Sequence, residues 1–135
     1  MMYVTRRETF SAAHRLFNPA WTDEKNEALF DKCNNPAGHG HNYVLEVTVE
    51  GGIDPETGYV VDLKELKSII RREVIDRLDH KNLNTDVDFL AGLIPTAENI
   101  AVAVWKRLRD RIPSGRLHSI RLRETENNVV EYKGE

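Results

Sequence analysis

Cysteine is almost absent from this chain of 135 residues: Cys33 stands alone. A single thiol closes no intrachain disulfide, so a packed core must hold the fold and a reducing compartment is the simpler expectation. Long apolar runs are missing as well. The opening Met1-Met2-Tyr3-Val4-Thr5-Arg6-Arg7 has no apolar centre of signal-peptide length, and no segment approaches the roughly 20 residues that span a bilayer. Nor is there a basic excess. The 19 Lys and Arg against 22 Asp and Glu give a net charge of −3, which argues against a general nucleic-acid binder. A small anionic substrate stays compatible, because a local basic pocket can sit on an acidic protein. Repeats, low-complexity tracts and linkers are also lacking. These absences leave one expectation: a single domain over residues 1–135, cytoplasmic, acting as an enzyme or a binding protein.

The chain does carry two kinds of periodicity. Thr9 to His14 reads as a strand running into a loop. Asn18 to Asn35 is polar and broken by turn-formers, a long excursion with one helical turn around Glu24 to Phe30. From Asn42 the pattern alternates strictly: Tyr43, Leu45, Val47 and Val49 face one way, Glu46, Thr48 and Glu50 the other. Tyr59-Val60-Val61 resumes the strand briefly. Asp62 and Glu65 form a capping-box pattern ahead of Leu63, Leu66, Ile70, Val74 and Leu78 at helical spacing, ending near Asp79-His80. Thr96 is the N-cap of a second helix that buries Ile100, Val104 and Leu108, with Ala101 and Trp105 alongside, and Pro113-Ser114-Gly115 stops it. Leu117 to Glu124 and Val129 to Lys133 are two further strands. The order is ββααββ, which predicts an α+β domain with antiparallel pairing and helices on one face.

Chemistry concentrates near the first loop. His39 and His41, separated by Gly40, share a face in an extended segment, close enough for both imidazoles to reach one metal. Glycine at Gly38 and Gly40 lets the backbone turn and approach closely. His14 supplies a third imidazole at another strand end. Three histidines with an open fourth position is the ligand pattern of catalytic zinc. Solvated histidines in a glycine turn are the plain alternative, and His118 reads as an ordinary surface or core histidine. Cys33, six residues before His39, is a base or nucleophile if a cation lowers its pKa; an inert cysteine or a fourth ligand of a closed zinc site are its other readings. Asp79-His80 suits proton shuttling or simple helix capping. Glu124 shares parity with Ile120 and Leu122, so it either faces the interior, paired or ligand-bound, or reaches solvent at the strand end. Bound to an amidine-like edge such as that of pterin or guanine, a carboxylate makes two parallel hydrogen bonds.

Together these blocks resemble the 6-pyruvoyl-tetrahydropterin synthase family. They are Phe10-Ser11-Ala12-Ala13-His14-Arg15-Leu16, Cys33-Asn34-Asn35-Pro36-Ala37-Gly38-His39-Gly40-His41-Asn42-Tyr43, Leu78-Asp79-His80-Lys81-Asn82-Leu83-Asn84, Pro95-Thr96-Ala97-Glu98-Asn99 and Glu124-Thr125-Glu126-Asn127-Asn128, in family order. The resemblance implies the tunnelling fold (T-fold): four antiparallel strands and two helices per subunit, three subunits closing a barrel, two trimers stacking into a homohexamer with active sites between subunits. It implies Zn2+ on His14, His39 and His41, Cys33 as general base, Asp79 and His80 as its relay, and Glu124 as the pterin anchor. Thr96 and Glu98 fall in a block near the pterin pocket, while Ala97 departs from the second hydroxyl residue often found there. Arg15, Lys32 and Lys81 are candidates for the triphosphate, with or without Mg2+. The implied reaction is conversion of 7,8-dihydroneopterin triphosphate to 6-pyruvoyl-tetrahydropterin with loss of triphosphate. The neighbouring branch, 6-carboxy-tetrahydropterin synthase of queuosine and 7-deazaguanine biosynthesis, shares the zinc and Asp-His motifs but carries its cysteine closer to the H-G-H block. A non-catalytic pterin- or zinc-binding protein is the reading of another class.

Overall fold

Alternating side chains produce a long hairpin-like pair at the centre of the molecule. The computed structural model describes residues 1–135. In it β1 (Met2–His14) and β2 (His39–Gly51) pair antiparallel over their full length, from Met2 opposite Gly51 to His14 opposite His39. Phe10 and Ala12 on β1, with Tyr43, Leu45, Val47 and Val49 on β2, line the buried face. A two-residue β3 (Lys81–Asn82) adds parallel to β1 at Ala12 and Ala13. Beyond β2 come β4 (Arg116–Thr125) and β5 (Asn128–Tyr132), both antiparallel, giving the order β3-β1-β2-β4-β5.

Three expectations change here. The sheet has five strands and is mixed, not four-stranded and antiparallel, because the segment after His80 lies along β1. Tyr59-Val60-Val61 joins no strand; Val60 and Val61 are buried in the core as an irregular segment. The first strand begins at Met2 rather than Thr9, its outer half having too many charged residues to show a clean pattern.

Helices cover the apolar face. α1 (Asp23–Phe30) is a full two-turn helix, longer than the single turn expected, capped by Thr22 Oγ1 accepting the Lys25 N–H. α2 starts at Leu63–Ile70, passes through a π-helical turn at Arg71–Ile75 and closes at Asp76–Leu78. Asp62 Oδ1 accepts the Lys64 N–H, but the reciprocal bond from Glu65 does not form, so the capping box is half made. Leu66, Ile69, Ile70, Val74, Ile75 and Leu78 are buried, whereas Leu63 is exposed despite its spacing. α3 (Ala97–Leu108) is capped by Thr96 and buries Ile100, Ala101, Val104 and Leu108; Trp105 is half-buried beside Tyr132. One cluster of 26 buried apolar residues joins α2 and α3 to the sheet, and α1 contributes none of them. No helix is long and apolar enough to cross a membrane.

Two bulges interrupt β4, one near each end. Thr48 faces Ser119 and Val49 faces Leu117, so His118 is an extra residue; Arg123 faces Val129 and Thr125 faces Asn128, so Glu124 is another. A bulge frees a residue from the ladder and re-aims its side chain.

Candidate active site

At one end of the sheet the apolar alternation of the core face is continued by polar residues. β1 runs Phe10, Ala12, His14; β2 runs back Tyr43, His41, His39; β4 runs Ile120, Leu122, Glu124. Because side chains repeat every second residue, all three histidines point to the helix-covered face at the strand ends. Gly38, at φ +77°, makes the turn into β2, and a Cβ there would press on the His14 carbonyl at 3.2 Å. Only glycine meets both demands. Gly40 is ordinary strand, so the freedom expected of both glycines is needed at one.

His14 is 1% exposed. Its Nδ1 lies 2.8 Å from the Pro95 carbonyl oxygen and 3.4 Å from the Tyr43 hydroxyl. A carbonyl only accepts, so Nδ1 carries the proton and donates, which leaves the Nε2 lone pair free. That Nε2 sits 3.0 Å from His39 Nε2, and one ring nitrogen from each of His14, His39 and His41 falls within 4.8 Å of the others. Tetrahedral zinc with Zn–N near 2.0–2.1 Å sets its ligands about 3.3 Å apart. Buried His39 Nδ1 and His41 Nε2 have no hydrogen-bond partner. Buried polar atoms without partners are costly unless something absent from the chain satisfies them. Burial first, then the neighbouring imidazoles, holds His14 below the usual histidine value, with the Pro95 carbonyl opposing; burial and the charge of His41 do the same for His39. Convergent, unsatisfied imidazoles, with His14 and His39 held toward their neutral forms, fit a metal ion, zinc included.

Glu124 Oε1 stands 3.7 Å from His41 Nε2, and its cleft is also lined by Thr96, Glu98, Asn127 and Asn128. Burial and then the Glu124 charge push the Tyr43 hydroxyl far above its ordinary value, so Tyr43 stays neutral beneath the cluster. Cys33 lies in a one-turn 3-10 helix, Asp31–Asn34, and borders a separate cleft of about 660 Å³ with Lys32, Asn35, His39 and His41. It is not one of the atoms gathered around the histidines.

Asp79 and His80 are elsewhere. Asp79 Oδ1 accepts the Ser11 N–H at 2.8 Å and Oδ2 meets His80 Nδ1 at 3.0 Å. The Ser11 bond holds the Asp79 carboxyl below its usual range against burial, with His80 adding to it. His80 is 83% exposed at its side chain and sits at φ +61°, past the helix end instead of capping it. Its cleft is lined by Ser11, Ala12, Ala13, Gly40, His41, Asn42 and Lys81. Ser11, Ala13, Gly40 and Asn42 have the opposite strand parity to the histidines, so the cleft lies mostly toward the other face of the sheet, with Ala12 and His41 at its border. Within one chain, Cys33 and the Asp79-His80 pair do not meet.

Residues 3–135 match the model of the family described as 6-pyruvoyl tetrahydropterin synthase. The chain belongs to the 6-pyruvoyl tetrahydropterin synthase family. It is 50% identical over 132 residues to the human 6-pyruvoyl tetrahydrobiopterin synthase, covering 98% of this chain and 91% of that one. It is 46% identical over 133 residues to the Drosophila melanogaster protein of the same name, covering 98% and 79%. The structure of Caenorhabditis elegans 6-pyruvoyl tetrahydropterin synthase superposes with a TM-score of 0.94 at 39% identity, over 99% of this chain and 96% of that chain.

Within this family member, sequence reasoning missed two groups next to the histidines. The Pro95 carbonyl, 81 residues from His14, is a main-chain atom with no sequence signal. Tyr43 was legible as core by parity, yet nothing local shows that its hydroxyl sits under a ligand histidine.

Proposed function

We propose that this chain is a zinc-dependent carbon–oxygen lyase that converts 7,8-dihydroneopterin triphosphate to 6-pyruvoyl-5,6,7,8-tetrahydropterin and releases triphosphate. The observation that carries the reading is the continuation of three adjacent core-facing strand patterns by His14, His39, His41 and Glu124, in a chain half identical to a human 6-pyruvoyl tetrahydrobiopterin synthase. When bound, zinc supplies Lewis acidity toward substrate oxygens without changing its own oxidation state.

The protein's side chains have distinct roles. Glu124 accepts two parallel hydrogen bonds from the amidine-like edge of the pterin, with Thr96 and Glu98 in the same cleft as further contacts. Cys33, beside His39 and His41 in its own cleft, is the base that removes a side-chain proton. Asp79 orients His80, and the pair relays that proton. Their opposite placement on the sheet supports an active site completed by a neighbouring subunit, in which one chain's Asp79-His80 serves another chain's Cys33. The free outer edges of β3 and β5 support the same assembly, a barrel of three subunits and a hexamer of two such rings. Lys32 and Lys81 line the two clefts and are the basic groups available to the triphosphate, with or without Mg2+.

The test is a product assay on the pure protein. Incubation with 7,8-dihydroneopterin triphosphate, followed by mass analysis, is expected to give 6-pyruvoyl-tetrahydropterin and triphosphate. Carboxy-tetrahydropterin and acetaldehyde as main products would move the chain to the 6-carboxy branch. No turnover by a zinc-loaded hexamer would leave only a binding protein.

A further inference from the structure

Nothing from the apolar core holds the turn that carries Cys33. None of Asp31–Asn34 is buried, and Asp31 enters it at φ +49°. A segment with few buried contacts takes its position from hydrogen bonds, and otherwise drifts. The two residues that follow His14, the last of β1, provide those bonds. His14 is a member of the histidine cluster. Arg15 Nε donates to the Asn34 carbonyl at 2.9 Å, and Nη2 donates to Asn34 Oδ1 at 3.0 Å. Leu16 N–H donates to the Cys33 carbonyl at 2.7 Å.

Arg15 is itself fixed on two further sides. Asn84 Oδ1 accepts the Arg15 N–H at 2.7 Å and Asn84 Nδ2 donates to the Arg15 carbonyl at 2.8 Å. The guanidinium carbon lies 4.3 Å from the centroid of the Phe17 ring. A planar fork stacked on a ring and bonded to two acceptors of one residue has little freedom left. Two of its three nitrogens are bonded to Asn34, and the cleft that Arg15 borders is shared with the carboxylates of Asp23, Glu27 and Asp31.

We propose that Arg15 is a positioning residue that acts through Asn34 to hold the Cys33 thiol in register with the histidine cluster, with Asn84 bracing it from behind. This rests on the reading of Cys33 as the base. Arg15→Lys tests it, because one ammonium cannot reproduce the two-pronged grip. Small misplacements of a reacting group cost up to about 100-fold in rate. Arg15→Lys is therefore expected to lower kcat by about 10- to 100-fold, to keep its zinc, and to leave KM within about twofold. The rate of Cys33 alkylation by iodoacetamide should change several-fold.

Asn34→Ala keeps every main-chain bond and removes only the Oδ1 acceptor, so it serves even if Arg15→Lys folds poorly. It should show the same pattern at smaller size, and its effect should not add to that of Arg15→Lys. A raised KM with kcat and alkylation unchanged would place Arg15 on the substrate and overturn the proposal. Zinc loss in either variant would also overturn it, since the fork would then serve the metal cluster. Cys33→Ala keeps the two readings apart. Should Cys33→Ala stay active, the base assignment falls; should it be dead while both other variants behave as wild type, only the positioning role falls.

Discussion

At one end of the sheet the β4 bulge at His118 brings an imidazole against Glu50; at the other, the bulge at Glu124 brings a carboxylate toward His41. The ingredients are nearly the same. At the first end every group is answered: Glu50 accepts from Arg116 and meets His118 Nδ1 at 3.1 Å, while Tyr3 packs on the His118 ring at 4.6 Å. At the second end His41 Nε2 and His39 Nδ1 have no partner, and the nearest carboxylate oxygen stops 3.7 Å short of His41. A histidine–glutamate pair by itself therefore says little. What separates a structural pair from a candidate site is whether the chain alone satisfies the buried atoms.

Removing one imidazole from each end breaks the comparison most sharply. His14→Ala deletes a ligand, and loss of even an outer partner of a metal ligand costs about 10- to 100-fold in affinity. We expect zinc affinity to fall by more than about 100-fold, with turnover lost alongside it. His118→Ala should keep its zinc and retain activity within about twofold, as expected of a substitution away from the site. Metal analysis and turnover on both variants decide it. Zinc loss in His118→Ala would mean that the two ends are not independent.

Cys33→Ala comes next. A positioned base contributes about 10²–10⁴-fold, so turnover should drop by that factor with zinc retained. Zinc loss instead would make Cys33 a ligand and the site a closed one.

Glu124→Gln and Glu50→Gln then compare the carboxylates. A hydrogen bond to a charged group contributes roughly 1.5–3 kcal/mol, so Glu124→Gln should raise KM by about 10- to 150-fold with the zinc in place. Glu50→Gln should leave KM unchanged and lower the melting temperature, since it removes the negative charge and one of the two oxygens that Arg116 and His118 meet. Equal KM effects at both ends would remove Glu124 from the pterin site.

The two ends were not equally legible in the sequence. Parity alone identified Glu124 with Ile120 and Leu122, and the spacing of His39 and His41 put both on one face; these are local rules of a strand. The α+β class and the paired-strand centre followed from the same alternation. Beyond reach were contacts whose partners are far apart in sequence: Pro95 with His14, Glu50 with His118, and Lys81-Asn82 lying along β1. Neither bulge was read: the one at His118 leaves Leu117 and Ile120 on the core face three residues apart, a break in the alternation, while the one at Glu124 shows only in the register with β5. The grip of Arg15 on Asn34 was out of reach for the same reason, since its partner lies 19 residues away along the chain.

The smallest effect separates the ends by proton uptake. Burial keeps His14 and His39 below the usual histidine value of 6.5, so in the metal-free protein the unfolded chain takes up protons that the folded chain refuses. Their contribution to stability is complete above that value and is lost progressively as pH falls below it. At the other end Arg116 donates to Glu50 and, against burial, holds its carboxyl below the usual 4.5. That contribution is complete above 4.5 and is lost only in stronger acid. Chelated protein should therefore lose a few degrees of melting temperature between about pH 7 and pH 5, before the carboxylate end responds. His14→Gln should reduce that first loss, and His118→Gln should leave it in place. A melting temperature flat across this interval in the chelated protein would mean that the buried imidazoles are already answered by something within the chain, and the contrast between the two ends would disappear.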